Sequence, residues 1–266
     1  MCSWRIAFAA LTACSALSAV QPAVAQDENS WRFAITPRVQ YSFLNAFVGP
    51  GRVEEQQFPF YGGTIEVAPP GWRNLSFLVT VLNGTDYNLK GFDDTGQQIS
   101  IFEFHRFDIE ALARYRLDGT NVSLFGGFRH IYQSAKGELL DPEFFIADTG
   151  TTVQIQRIKF YLAEFGAGFS APIDRSGQHS FFGNGIIGVG FLRDRIVNRV
   201  ETGRRDFTLF AITFDVNAGY NWQFAACCAL QARYRAFVFP AGNKTFKDLA
   251  VQHGPEIGLT FRFSLP

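Results

Sequence analysis

Fifteen acidic and basic residues of this chain keep a common phase along its alternating stretches, and they are the groups best placed to do chemistry. Arg106, Asp108, Glu110, Arg114 and Arg116 stand at even spacings in one stretch. Arg32 and Arg38, Glu66, Arg129, Glu164, Asp215, Arg233 and Arg235, and Glu256 and Arg262 hold the equivalent phase in others. Side chains two apart on a strand share a face, so all fifteen are expected to line one interior. Nine are arginines and six are carboxylates. Planar guanidinium forks pair two-pronged with carboxylates or with an anionic solute. Two roles follow: a salt-bridged filling that stiffens a wall, or a narrow aqueous path with a mild preference for anions.

Other motifs carry less. Gly183-Asn-Gly185-Ile-Ile-Gly188 fits a dinucleotide-binding fingerprint, but that motif needs a helix behind it so that phosphate meets a helix N-terminus. Val189 to Leu192 continues the β pattern instead, so these glycines are read as wall residues. Asp94-Thr95-Gly96 and Asp148-Thr149-Gly150 hold the carboxylates for an acid/base pair sharing a proton. Both fall in polar, glycine-containing segments and are read as turns. His105, His130, His179 and His253 are scattered, with no Cys or His at metal spacing. His105 with Asp108, or His130 with a loop acid, is expected to be a hydrogen-bonded wall residue. No catalytic, cofactor-binding or metal residue is named, no cofactor is expected, and the chain is read as not an enzyme.

The elements that carry the charges read as β-strands. Trp31, Phe33, Ile35, Pro37, Val39, Tyr41 and Phe43 alternate with Arg32, Ala34, Thr36, Arg38, Gln40 and Ser42. The arginine face cannot meet lipid, and the aromatic face is too continuous for water. Ten such strands are predicted, at 31–43, 60–67, 74–83, 100–117, 121–133, 153–171, 180–192, 207–224, 228–238 and 251–265. Short turns at 68–73, 118–120, 172–179 and 225–227 alternate with long polar connections at 44–59, 84–99, 134–152, 193–206 and 239–250. The fold expected is all-β: a closed up-and-down antiparallel transmembrane barrel of about ten strands, apolar outside and polar within.

Trp31, Trp72 and Trp222 fall at the short-turn end, and Tyr41, Tyr61, Tyr87 and Tyr132 near the other, as two interfacial belts would require. Lys90, Lys136, Lys244 and Lys247 are placed in long loops, Lys159 in a strand. Inward glycines at Gly127, Gly166, Gly168, Gly188, Gly190 and Gly219 are expected to leave a constricted passage. Eight strands enclose little beyond side chains and wide pores need about sixteen, so a large porin is excluded. Pro37 and Pro255 break the hydrogen-bond ladder of the two strands that must close the barrel. Bulges at that seam, or an open seam, are expected.

Residues 1–25 have the pattern of a cleavable secretory signal: Arg5, an apolar run from Ile6 to Val20, and Ala23-Val24-Ala25 before Gln26. Leu11-Thr12-Ala13-Cys14 also matches a lipobox, which would make Cys14 a lipidated first residue. Residues 26–266 form the barrel domain and keep one base fewer than acids, since Arg5 leaves with the signal. They hold two cysteines, the adjacent Cys227 and Cys228, which bridge poorly. No apolar run reaches the roughly 18 residues of a spanning helix. No basic stripe interleaved with aromatics points to nucleic acid.

Across Gln26 to Pro266 the chain resembles the small monomeric outer-membrane β-barrel proteins of Gram-negative bacteria. Its last strand, Pro255 to Leu265, resembles their terminal aromatic signal, although the chain ends Phe263-Ser264-Leu265-Pro266 rather than on Phe. Phe107-Asp-Ile-Glu-Ala-Leu-Ala-Arg-Tyr-Arg-Leu followed by Leu124-Phe-Gly-Gly-Phe-Arg-His resembles pore-forming proteins of the Legionella major outer-membrane type. Outer-membrane barrel enzymes of the omptin type use Asp-x-Asp and Asp-x-His pairs, and phospholipases or lipid A deacylases use His-x-Ser; the chain offers neither, only the adjacent His179-Ser180. The resemblance implies an exported outer-membrane protein acting as a narrow porin-like conduit. Its partners would be outer-membrane lipid and small solutes, with no nucleic acid, and a monomer is the favoured state. The competing expectation is a non-conducting barrel whose loops bind partners, with an apolar patch at Leu139, Leu140, Phe144, Phe145 and Ile146 as the contact. A soluble exported β-sandwich is the third.

Overall fold

Ten antiparallel strands close on themselves. The computed structural model describes residues 29–48, 51–92, 95–96, 98–139, 153–198, 204–240 and 249–265. The strands are β1 (Trp31–Val48), β2 (Gly51–Ala68), β3 (Leu75–Phe92), β4 (Gln98–Arg116), β5 (Val122–Leu139), β6 (Val153–Pro172), β7 (His179–Asn198), β8 (Arg204–Ala225), β9 (Cys228–Pro240) and β10 (Leu249–Leu265). Each pairs with its sequence neighbours, and β1 meets β10 to complete the barrel. No helix occurs among the described residues. The signal and lipobox segments, Asp94, Asp148 to Gly150, Leu140 to Ile146, Lys244 and Lys247 lie outside them.

The two faces sort as a period of two demands. Phe165, Phe169, Phe181, Phe191, Phe210 and Phe214 point outward and are 45–57 % exposed. Contiguous apolar surface on this scale is rare on a protein meeting only water. Trp31, Trp72 and Trp222 are exposed at the short-turn end, and Tyr41 and Tyr61 towards the other. The Gly183–Gly188 segment lies inside β7, with no helix after it. Cys227 and Cys228 stand as unbridged thiols at the β8–β9 turn, their sulfurs 3.0 Å apart.

The strands run further than alternation reveals. Much of 44–59, 84–99, 193–206 and 239–250, read above as loop, is strand, and Lys90 and Lys136 stand on β3 and β5. Beyond an apolar zone both faces of a strand can carry polar residues. The hydrophobic period then vanishes while the backbone ladder continues. Between Gly84 and Tyr87 the β3–β4 register shifts. Such a bulge swaps the faces of every residue beyond it. Tyr87 therefore turns inward and stacks on Phe58, ring centroids 4.1 Å apart, instead of joining the outer tyrosine belt.

The seam is closed without a bulge. β1 and β10 keep one register from Trp31↔Leu265 to Ala46↔Ala250, with pairing interrupted at Thr36–Pro37 and Tyr41–Ser42. Side chains bridge those gaps. Thr36 Oγ1 and Thr260 Oγ1 are 3.0 Å apart, and Gln252 Nε2 donates to Ser42 Oγ at 3.0 Å. Phe33 stacks on Phe263 outside, 5.3 Å between centroids. A buried hydroxyl stripped of its partner costs about 1–2 kcal/mol, whereas removing both partners is nearly neutral. Thr260→Val is therefore expected to lower barrel stability by about 1 kcal/mol in urea refolding titrations, and Thr36→Val added to it to recover most of that. Additive losses would show that the hydroxyl pair does not staple the seam.

Candidate functional site: a charged layer, an aromatic plug and a vestibule

All fifteen ionic residues singled out by phase project inward, but they do not line one continuous path. The central ones form a layer across the lumen. Arg129 on β5, 1 % exposed, donates from Nε to Asp108 Oδ1 at 2.9 Å and from Nη2 to Asp108 Oδ2 at 2.5 Å. Its Nη1 donates to Asp215 Oδ2 on β8 at 2.7 Å. Arg235 on β9 holds Asp215 from the other side, Nε to Oδ1 at 3.0 Å with a further bond through Nη2. Arg106 reaches Asp108 at 3.2 Å and also donates to Gln252 on β10, almost diametrically across from β4. Glu164 and Glu110 approach Arg129 Nη1 at 3.6 and 4.0 Å. Each charge is paired, as burial requires, because an uncompensated buried ion costs several kcal/mol.

Towards the long-connection end the lumen is apolar. Phe58, Phe60, Phe104, Phe160, Phe237 and Phe239 are buried there with Leu44, Leu82, Ile131, Leu162 and Leu192. Phe160 of β6 meets Phe239 of β9 edge-on at 5.9 Å, so rings touch across the lumen. Arg106 couples the two layers. Its Cζ lies 4.9 Å from the Phe237 ring, 5.3 Å from Phe239 and 5.6 Å from Phe60, a cation–π arrangement that suits a guanidinium with little water. Arg129 Cζ lies 4.2 Å from the Phe237 ring.

Towards the short-turn end the lumen opens into a cavity of about 650 Å³. Its walls carry Arg32, Arg38, Arg73, Arg114, Arg116, Arg233, Arg235 and Arg262 against Glu66, Glu110 and Asp215, with Asn184, Asn217, Asn221 and Gln223 between them. Glu256, buried beside the cavity, pairs with Arg233 at 2.7 Å and Arg38 at 3.4 Å. Arg114 pairs with Glu66, Arg32 donates to the Trp72 carbonyl at 3.2 Å, and Arg262 donates to Gln223 Oε1 at 3.0 Å. A row of threonines crosses four strands here: Thr80 to Thr64 at 2.8 Å, then Thr36 to Thr260. The base comprises the buried carboxylates and guanidiniums just described.

Several expectations need correction. Inward glycines do not open a passage; they let neighbouring strands approach. A Cβ at Gly127 would stand 2.0 Å from the Ala111 carbonyl oxygen, and one at Gly190 would stand 1.9 Å from that of Tyr161. His105 and Asp108 do not pair: they have opposite phase, so His105 faces Tyr132 outside while Asp108 binds Arg129 inside. His130 meets the Phe160 carbonyl at 2.9 Å. The plug phenylalanines had no role assigned from the sequence, although Phe58, Phe237 and Phe239 share the phase of the charges on their strands, and Tyr87, expected in the outer belt, packs with them.

No family model and no curated protein matches the chain. Solved structures do. The translocator domain of the autotransporter NalP from Neisseria meningitidis aligns over 97 % of this chain and 98 % of that one, at 13 % identity and a TM-score of 0.52. A major outer membrane protein from Thermus thermophilus aligns over 88 % and 99 %, at 12 % identity and a TM-score of 0.39. Neisserial surface protein A aligns over 87 % and 97 %, at 10 % and 0.37. At 13 % identity the likeness to the NalP domain speaks to the fold alone.

Proposed function

We propose that the chain is an integral outer-membrane β-barrel that does not conduct, a wall protein whose exterior and ends are its working surfaces. One observation carries this reading: a dry aromatic layer and a buried guanidinium–carboxylate layer are stacked in the lumen, each bridged from wall to wall. An ion crossing the first would shed its hydration shell, and one crossing the second would have to displace paired charges. Residence in the membrane is supported by the outward phenylalanines and the tryptophans at one rim. Export through the signal segment, the monomeric state and the absence of catalysis belong to the same reading.

A narrow anion-preferring conduit is the second reading, favoured by the arginine surplus of the 650 Å³ vestibule. Planar-bilayer recordings separate the two. The refolded barrel, its closure checked by heat-modifiable gel mobility, is expected to give no stepwise current at high protein load. Reproducible anion-selective steps would establish the conduit instead.

A further inference from the structure

The outer face of β6 and β7 carries four cations placed directly opposite one another. Lys159 pairs in register with Arg193, and Arg157 with Arg195. All four share the phase of the exposed Tyr161 and Phe191, so they point away from the lumen. Arg193 is 56 % exposed at its side chain. Like charges facing each other across a strand pair are destabilising. Among the described residues their ion pairs are two loose contacts to Asp206, 3.8 Å from Arg193 and 3.9 Å from Arg195. One carboxylate does not neutralise four cations.

Position says what else could. On β7 the outward residues from Phe181 to Phe191 are apolar, and Arg193 comes next. Ten residues at ~3.3 Å each, tilted by ~40°, rise roughly 25 Å, the height of a lipid-facing band. The cations therefore sit at the first level above hydrocarbon at the long-connection end. Strand spacing and residue rise place them at the corners of a quadrilateral of about 5 by 7 Å, the scale of a phosphate held by several donors. Lys159 also lies 5.9 Å from the Tyr132 ring, which fixes one corner.

We infer that this patch binds the phosphate of a lipid headgroup in the adjoining leaflet, with the acyl chains against the apolar band below. The inference rests on the membrane reading above. A lipid satisfies both levels at once; a free phosphate reaches only the upper one, so a lipid is the occupant to which the geometry commits.

The test uses the refolded full barrel in neutral detergent. It is titrated with lipid A bearing its phosphates or with the same glycolipid stripped of them, and adducts are read by native mass spectrometry. The phosphorylated form is expected to be retained and the stripped form lost, with millimolar inorganic phosphate failing to compete. Arg157→Gln, Lys159→Gln, Arg193→Gln and Arg195→Gln together should weaken retention about a hundredfold, since each cation near a charged lipid surface contributes several-fold. If the quadruple variant does not fold, Arg193→Gln with Arg195→Gln and the wild-type headgroup comparison carry the test. Equal retention of both lipids, or displacement by inorganic phosphate, overturns the inference. Insertion into phosphatidylcholine vesicles, scored by resistance to urea extraction, is measured alongside. A barrel that inserts without preferring phosphate refutes the patch alone, and one that never inserts refutes the membrane reading and the patch with it.

Discussion

Arg129→Met is expected to destabilise the refolded barrel by about 3–5 kcal/mol, the range found when one partner is removed from a buried ion pair. Arg129 meets two carboxylates directly, Asp108 at 2.5 and 2.9 Å and Asp215 at 2.7 Å, and Glu164 stands 3.6 Å away. Methionine fills comparable volume and packs against Phe237, so lost charge rather than lost packing dominates. Asp215 keeps Arg235 and Asp108 keeps Arg106, which limits the penalty. Glu164 keeps no such substitute: its carboxylate oxygens are buried without a hydrogen bond. Three results should follow in equilibrium urea titrations of the detergent-refolded barrel. Arg129→Met lowers the midpoint strongly. Arg129→Lys recovers little, because a single ammonium cannot reproduce the two-pronged bond to Asp108. Adding Glu164→Gln to Arg129→Met restores much of the loss, because Glu164 is the carboxylate left without a cation. An unfolding free energy within about 1 kcal/mol of wild type for Arg129→Met alone would mean that water already reaches the layer.

The wall was legible because one of its faces is polar. Where Arg32, Thr36 and Arg38 alternate with Trp31, Ile35 and Val39, a period of two separates inside from outside at once. The same contrast located the charged interior, since arginine and carboxylate in one phase could not meet lipid. The plug was not legible, because there both faces are apolar. Phe237-Val238-Phe239-Pro240 and Phe160-Tyr161-Leu162 carry no polar residue to mark the inner side, so their inward members read as more exterior. The ends of β2, β7 and β8 were lost for the mirror-image reason, since Glu54-Glu55-Gln56-Gln57, Arg193-Asp194-Arg195 and Arg204-Arg205-Asp206 are polar on both faces. Tyr87 was misplaced by a register shift, which leaves no signature in the composition of β3. The cations of β6 and β7 were hidden differently. Arg193 and Arg195 were assigned to a loop, and only the ladder of β6 with β7 sets them opposite Lys159 and Arg157.

Opening the barrel to ions is expected to require changes in both layers together. Truncating the plug alone, with Phe160→Ala, Phe237→Ala and Phe239→Ala, should leave bilayers silent, because Arg129, Asp108, Asp215 and Arg235 still bridge the lumen beneath it. Removing the ionic layer alone, with Arg106, Asp108, Arg129 and Asp215 all changed to Ser, should also leave them silent. The remaining rings form a dry septum, and the idealised cost of moving an ion into so apolar a medium is of order 20 kcal/mol. The combined variant should show stepwise conductance, since a ten-stranded barrel emptied at mid-height is wider than the eight-stranded ones that side chains fill. Its wall should survive, because every strand keeps backbone pairing on both sides; heat-modifiable mobility checks this before recording. The cost of the truncated rings, about 3–5 kcal/mol each in a dry core, falls where water can enter the space they leave. Steps from the plug-only variant would show that the ionic layer does not seal. Silence of a folded combined variant would place the barrier outside these two layers.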